Sequence, residues 1–317
     1  MPGSPGGDTT AAMAQARILR FYLDPGLKSS AEAGRHNFIN QVADVALAAG
    51  FRVEFKRDTE TERMKSAMRR GYAMFHMADP FHDRALTMRR VYHYPFWAIE
   101  RSARRWEWRV AQAPFDPDKV DRAAADSFTR YWRKRLFGET AADAGTTGMI
   151  YVPLQGRLDE QRGFQACTPL EMLAHTLERA EGRRVVATLH PKERYSLSEL
   201  AELERMSAAH PRLELRTGGM DDLLPRCDMV VTQNSSAAFN GFFFNKPAVL
   251  FGRSDFHHIA ANVHELGVDG AFDAASHGQP DFAGYLWWFW QVMSINAGRP
   301  EAPEKIASAM RRAGWPV

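Results

Sequence analysis

Two cysteines stand in 317 residues, Cys167 and Cys227. Their separation fits neither a disulfide framework nor a metal-ligand spacing, so a reduced, cytosolic setting is expected. Long apolar runs are equally scarce. The longest, around Tyr285 to Val292, is far short of the ~20 residues that a spanning helix needs. The opening MPGSPGGDTT has no basic segment followed by an apolar one, so it does not read as a secretory signal. Residues 1–14 are expected to be a disordered leader. The patterns HExxH, GxxxxGK[ST], GxSxG and GxGxxG are missing, which removes motif support for zinc proteolysis, P-loop NTP hydrolysis and dinucleotide binding. No His, Cys, Asp and Glu cluster argues for a metal, none is expected, and nothing points to nucleic acid.

What is present is an ordinary globular composition, 45% hydrophobic and 25% charged, long enough for about two domains. The net charge of +3 is unevenly spread: Arg84 to Arg135 holds 13 Lys or Arg against 6 Asp or Glu, leaving the rest about −4. One basic lobe of this kind suits an anionic acceptor or a lipid surface, or is a solvated face of Arg-rich helices.

Hydrophobic periodicity organises the chain into two halves. In the first, strands are predicted at Arg17–Asp24, Phe51–Lys56 and Tyr72–Ala78, with helices at Glu32–Ala49 and Glu60–Arg70. The pair Pro25–Gly26 reads as a turn. Asp79–Arg109 is dense in aromatics and arginines and resists assignment; Asp121–Arg135 looks helical. Thr140–Gly148, small and polar, reads as the linker. In the second half, strands at Met149–Pro153, Val185–Leu189, Leu213–Arg216, Met229–Thr232 and Ala248–Phe251 alternate with helices at Pro169–Arg179, Ser198–Ala209, Asp221–Leu224 and Ser236–Phe244. This is the grammar of a doubly wound α/β domain, in which ligands bind beyond the carboxyl ends of the strands. The expected division is 15–140 for the first lobe, 148–275 for the second and 280–317 for C-terminal helices packing back on the first. The Trp-rich stretch Asp281–Ile295, apolar nearly all round, is expected to be buried in that return.

Four strand ends in the second half open onto polar loops. After Met149–Pro153 come Gln155, Arg157, Asp159 and Glu160. After Val185–Leu189 come His190, Pro191 and Lys192. After Met229–Thr232 come Gln233, Asn234, Ser235 and Ser236, and after Ala248–Phe251 come His257 and His258. Ser235 and Ser236 stand where a strand becomes a helix, so free N–H groups there suit a phosphate, or the serines simply cap the helix. His190 and Lys192 offer a donor and a cation to the same region. Asp159 and Glu160 are the acids placed to act as nucleophile or base. Gln155, Arg157, His257 and His258 are candidate donor or acceptor contacts.

The segments VPLQGRLDEQ (Val152–Gln161), TLHPKE (Thr188–Glu193), HPRLEL with DDLLPRCDMVVTQNSS (His210–Leu215, Asp221–Ser236) and NKPAVLFGRSDF (Asn245–Phe256) resemble the capsular-polysaccharide biosynthesis and export family that includes bacterial β-Kdo transferases. The resemblance covers about Met149 to Gly267. It implies a GT-B fold: two Rossmann-like lobes, the first (15–140) for the acceptor and the second (148–275) for the nucleotide sugar, with a cleft between them and a C-terminal helix crossing back. It implies a CMP-Kdo donor, with His190, Pro191 and Lys192 near the nucleotide and Gln233–Ser236 around its phosphate. Asp159 matches the acid of a QxxxD-type segment, where a carboxylate serves a retaining transfer. Where the family carries an acid in the helix after the serines, this chain has Asn240 or none. The resulting expectation is a transferase passing Kdo or a related acidic sugar to a surface polysaccharide or glycolipid, in the cytoplasm and peripheral to the inner membrane. A UDP-sugar transferase or epimerase, or a catalytically silent assembly protein, is the alternative.

Overall fold

The computed structural model describes residues 15–138 and 145–317. The leader read at 1–14, and residues 140–144 of the expected linker, lie outside the described residues. The chain forms two units: residues through Ala103 together with Ile295–Val317, and Arg104–Ser294.

The first unit begins with β1 (Ile18–Leu23), α1 (Pro25–Glu32), α2 (Asn37–Ala48), β2 (Arg52–Arg57), α3 (Glu60–Met68), β3 (Tyr72–His76), β4 (Ala85–Arg90) and β5 (Phe96–Glu100). Pro25–Gly26, expected as a turn, instead opens a helix. Asp24 accepts N–H bonds from Gly26 and Leu27, and Pro25 occupies the first helical position, where its missing N–H costs nothing. The helix predicted from Glu32 begins instead at Asn37, and Glu32 is the last residue of α1. Phe38, Ile39, Val42, Ala43 and Ala46 of α2 are buried on one face, and Phe38 stacks on Trp97 of β5 at 4.6 Å.

Residues 104–138, expected in the first lobe, belong to the second unit. They carry α4 (Arg109–Gln112) and α5 (Arg122–Phe137). Then follow β6 (Met149–Pro153), α6 (Pro169–Glu178), β7 (Arg184–Leu189), α7 (Leu197–Ala209), β8 (Leu213–Thr217), α8 (Met220–Leu223), β9 (Met229–Thr232), α9 (Ser236–Gly241), β10 (Ala248–Leu250), β11 (Ala261–Asn262), α10 (Val263–His277) and α11 (Phe282–Trp287). The reason for the different boundary is aromatic packing. Trp132 of α5 meets Trp290 at 5.6 Å, and Phe137 meets Phe244 at 4.8 Å. The Trp-rich stretch is buried, but here, in the second unit. Tyr285, Leu286, Trp288, Phe289 and Trp290 are all inside it. The return to the first unit begins only at Ile295, where β12 (Ile295–Asn296) pairs antiparallel with β5 and α12 (Ala302–Arg312) packs on α2.

Each unit has a six-stranded sheet. The first runs β12-β5-β4-β3-β1-β2, with β4, β3, β1 and β2 parallel and β5 antiparallel to β4. The second runs β11-β10-β9-β6-β7-β8, parallel throughout. Its strands β6 and β9 are buried along their whole length, as a sheet covered on both faces requires. No described helix is long and apolar enough to cross a membrane.

Two glycines in the first unit give a test of backbone constraint. Gly34 has φ +70° with open space around a would-be Cβ, whereas Gly71 has φ +99° and a Cβ there would lie 2.6 Å from the Ile18 carbonyl oxygen. Gly34→Ala is expected to destabilise by about 1 kcal/mol, the left-handed penalty alone. Gly71→Ala is expected to cost about 3 kcal/mol, near the upper range for strained backbone. Chemical denaturation of the two variants measures the difference; equal losses would contradict the packing at Gly71.

Candidate functional site

In the second sheet the chain leaves β6 toward β7 and β8, then returns to the other side of β6 as β9. Strand order reverses between β6 and β9, and adjacent loops diverge there to open a crevice. A cavity of about 520 Å³ occupies this place, lined by residues that follow β6, β7, β8 and β9. Tyr151 and Thr188 contribute from the strands themselves; the Thr188 hydroxyl donates to Tyr151 Oη at 3.2 Å. Burial pushes the Tyr151 phenol up to about 12, so it stays neutral.

Four of the residues singled out in sequence line this cavity together with Pro191: Gln155, His190, Ser235 and Ser236. Gln155 Oε1 is buried without a hydrogen-bond partner among the described residues. A buried acceptor left unpaired in a lining residue calls for a donor that the described residues do not supply. At His190 the ring Nδ1 accepts the Lys192 N–H at 3.2 Å, which puts the proton of the neutral ring on Nε2. The His190 N–H in turn donates to Tyr195 Oη at 2.8 Å. Ser235 caps α9, accepting from Ala237 N–H, and Ser236 is exposed at its first turn.

The remaining candidates stand elsewhere. Lys192, Asp159 and Glu160 are exposed and do not line the cavity; Glu160 is paired with Arg157 at 3.1 Å. Gln233 is buried and donates to the Cys167 carbonyl at 3.0 Å, which makes it a brace between loops. Asn234 donates to the Arg253 carbonyl at 3.1 Å. His257 lines a separate cavity. His258 has both ring nitrogens engaged: Nε2 donates to the Ala113 carbonyl and Nδ1 accepts from Tyr285 Oη, each at 2.9 Å. A ring so held has no nitrogen left for a sugar.

Sequence reasoning missed several residues at this cavity. Gly218 and Gly219, with φ +69° and +82°, turn the chain from β8 into α8 and bring Asp221 to the lining. The Gly–Gly pair after a strand was the available signal. Glu193 and Asn240 also line it. Glu193 lies against the loop after β6, for a Cβ on Gly156 would be 2.7 Å from its Oε2. Glu199 was missed as well. It closes a capping box with Ser196 at the start of α7 and accepts the Leu158 N–H with its other oxygen. Burial works to raise its pKa, yet the N–H donors of Ser196 and Leu158 together hold the carboxyl below the usual range. The loop carrying Asp159 is thus anchored one residue before it. In the first unit, Asp24 follows β1 and His76 ends β3, where that sheet's order also reverses. Burial lowers the pKa of His76 and of His36 nearby. Among the described residues no group of three or more His, Cys, Asp or Glu is placed to hold a metal.

No protein-family model matches the chain, and no curated protein matches it in sequence. Solved structures do. Thermosulfurimonas dismutans KpsC, a beta Kdo 2,7 transferase, aligns with a TM-score of 0.54 at 12% identity over 93% of this chain and 99% of its own. WaaG, a glycosyltransferase involved in lipopolysaccharide biosynthesis, aligns at 0.38 and 9% identity over 93% and 99%. The wall teichoic acid polymerase TagF aligns at 0.32 and 8% identity over 94% and 88%. The fold assignment rests on the first of these: two Rossmann-like units of the GT-B class.

The buried state of His258 has a measurable consequence. Burial, and then the neighbouring His257, push its pKa from 6.5 down to about 4. Between those values the unfolded chain binds a proton that the folded one does not, so stability falls as pH drops through this window. His258→Gln is expected to lower Tm near neutral pH and to flatten its decline between pH 6.5 and 4. Identical pH slopes in the two proteins would rule out a neutral, structural His258.

Proposed function

We propose that the chain is a GT-B glycosyltransferase whose second unit binds the nucleotide of an activated sugar at the crevice between β6 and β9. The observation that carries this reading is the cavity there, with Gln155 Oε1 buried and unsatisfied beside His190 and the first turn of α9. His190 Nε2–H and the N–H groups of Ser235 and Ser236 are the proposed phosphate donors, with Lys192 adding charge. Asp221 and Glu193 are acceptors suited to ribose hydroxyls. The donor class, a CMP-activated Kdo or related acidic sugar, is supported by the resemblance of the QGRLD, HPK and QNSS segments.

In the proposed reaction Asp159 attacks the anomeric carbon as the bond to the CMP phosphate breaks. The acceptor hydroxyl, on a surface polysaccharide or glycolipid, then displaces the carboxylate and regenerates it. Glu160 is the base proposed to take the hydroxyl proton. Two displacements retain the anomeric configuration.

Thermal-shift titration tests the nucleotide, because a ligand at a hundred times its Kd stabilises by about 2.7 kcal/mol. CMP is expected to raise Tm and UDP to leave it unchanged; a response to UDP alone would overturn the donor class. Ser236→Asp should abolish the CMP response by repulsion. Asp159→Asn should keep it while turnover falls by about three orders of magnitude, since the lost interaction belongs to the transition state.

We also propose that the acceptor is met at an anionic lipid surface through α5. Arg130, Lys134 and Arg135 are exposed on this helix around Tyr131, itself 57% exposed. Each cation near such a surface contributes about 1 kcal/mol. Sedimentation with phosphatidylglycerol vesicles should carry the protein down, phosphatidylcholine vesicles should not, and Arg130→Glu with Lys134→Glu should remove the difference. Equal sedimentation of that variant with the anionic vesicles would exclude α5.

A further inference from the structure

A second cavity, about 380 Å³, lies in the second unit beyond the carboxyl ends of β10 and β11, within the ~300–1,000 Å³ of small-molecule sites. Its floor contains Ser254 and Asn262, 4% and 5% exposed. Asn262 is held in place as the cap of α10, accepting the His264 N–H at 2.9 Å. One wall is Trp106, whose ring stacks on Phe164 at 5.5 Å.

This wall is built rather than incidental. Arg105, the preceding residue, donates to Asp255 at 3.1 Å, and that carboxylate is completely buried. The same guanidinium lies 4.6 Å from the Trp108 ring. Gln112 Nε2 donates to the Trp106 carbonyl at 2.9 Å. Breaking a buried pair such as Arg105–Asp255 is strongly unfavourable, so the segment bearing Trp106 is fixed.

The cavity is coupled to the nucleotide crevice through backbone. Gly252 N–H donates to the Gln233 carbonyl at 2.8 Å, and Arg253 N–H to the Phe164 carbonyl at 2.9 Å. Asn234 Nδ2 reaches the Arg253 carbonyl. The strand of chain that presents Ser235 and Ser236 to one cavity therefore also holds Arg253 at the other.

We infer that this second cavity is a sugar subsite that takes a pyranose bearing an anionic group. An indole wall suits the apolar C–H face of a pyranose ring, and the Asn262 and Gln112 amides and the Glu265 carboxylate suit its hydroxyls. Arg253 is exposed on the lining, and its side chain has no hydrogen-bond or ion-pair partner among the described residues. It is the group for the anion, while Glu107 is already paired with Arg104 at 3.1 Å. The sugar comes either from the donor or from the end of the acceptor. The subsite deepens the glycosyltransferase reading and rests on it for that choice of source.

Saturation-transfer NMR with free glucuronate, glucose and CMP, and calorimetry comparing CMP-Kdo with CMP, test it. Wild type is expected to bind glucuronate in preference to glucose with CMP already present, or to bind CMP-Kdo at least tenfold more tightly than CMP. The first outcome assigns the subsite to the acceptor, the second to the donor sugar. Trp106→Ala and Arg253→Gln should each remove the effect seen, Trp106→Phe should restore part of it, and all should bind CMP as wild type does. Arg253→Gln, an exposed change, serves if Trp106→Ala fails to fold. Sugar binding without any response to CMP would sink the nucleotide assignment and leave the subsite standing. CMP binding with no sugar effect in wild type, or with effects untouched by both variants, would overturn the subsite.

Discussion

Every strand of the second sheet runs in the same direction, and from that the location of its chemistry follows. Parallel strands need crossovers, and each crossover here leaves a carboxyl end on one edge of the sheet before returning along its face. The loops after β6, β7, β8 and β9 therefore have to share that edge. Because the chain starts in the middle of the sheet and fills one side before the other, those loops part between β6 and β9. A crevice at this point is a result of winding order, independent of side chains. What side chains decide is its chemistry: an unsatisfied amide oxygen at Gln155, an imidazole at His190 and a serine pair at the start of α9.

Loops long enough to carry functional groups would wander without anchors, and buried carboxylates supply them. Glu199 reaches from α7 to the N–H of Leu158, across 41 positions of sequence. Asp255 holds Arg105 across 150. In both cases the acid is removed from water and its charge is answered by fixed donors, so release of the loop would strand a charge. Glu199 fixes the entry to the Asp159 loop, and Asp255 fixes the Trp106 wall. One anchor thus serves the chemistry proposed beside the crevice and the other the proposed sugar subsite.

The two α/β halves were legible because buried parallel strands are short apolar runs with abrupt ends. Met149–Pro153 and Met229–Thr232 match the predicted bounds residue for residue. Asp24-Pro25-Gly26 misled because a helix cap followed by proline has the same composition as a turn; only the continuation through Leu27 to Glu32 separates them. Residues 79–109 hid β4 and β5 at the antiparallel side of the first sheet, because β4 ends on the charged pair Arg89–Arg90 and β5 opens on the aromatic pair Phe96–Trp97, so neither shows a clean period of two. The membership of α5 was illegible for a different reason. Its apolar positions, Phe128, Trp132 and Phe137, need an aromatic partner, and periodicity cannot say whether that partner lies before or after them in the chain. It is Trp290 and Phe244, more than a hundred residues later. At the crevice, polarity at strand ends was visible, whereas which side chains turn inward depends on loop closure. That is why Gln155 lines it and Asp159, four residues on, does not.

His190 and His258 show why residue type alone could not settle roles. Both follow strands of one sheet, His190 read from the sequence as a nucleotide contact and His258 as a donor or acceptor contact. His190 accepts one local N–H at Nδ1 and remains exposed, so its Nε2 proton is directed by the fold yet open to an incoming oxygen. His258 is closed on both sides by Ala113 and Tyr285, and burial keeps it neutral. The pattern that satisfies it is the neutral tautomer with one donor and one acceptor, which is a structural state and not a catalytic one. The difference lies in what packs over each loop. His258 is roofed by Ala113, by Tyr285 of α11 and by Trp288, in the very pieces of chain whose place in the second unit periodicity could not reveal. Misplacing those pieces and misreading His258 are therefore one error, and the same roof that silences His258 carries Trp106 to the rim of the second cavity.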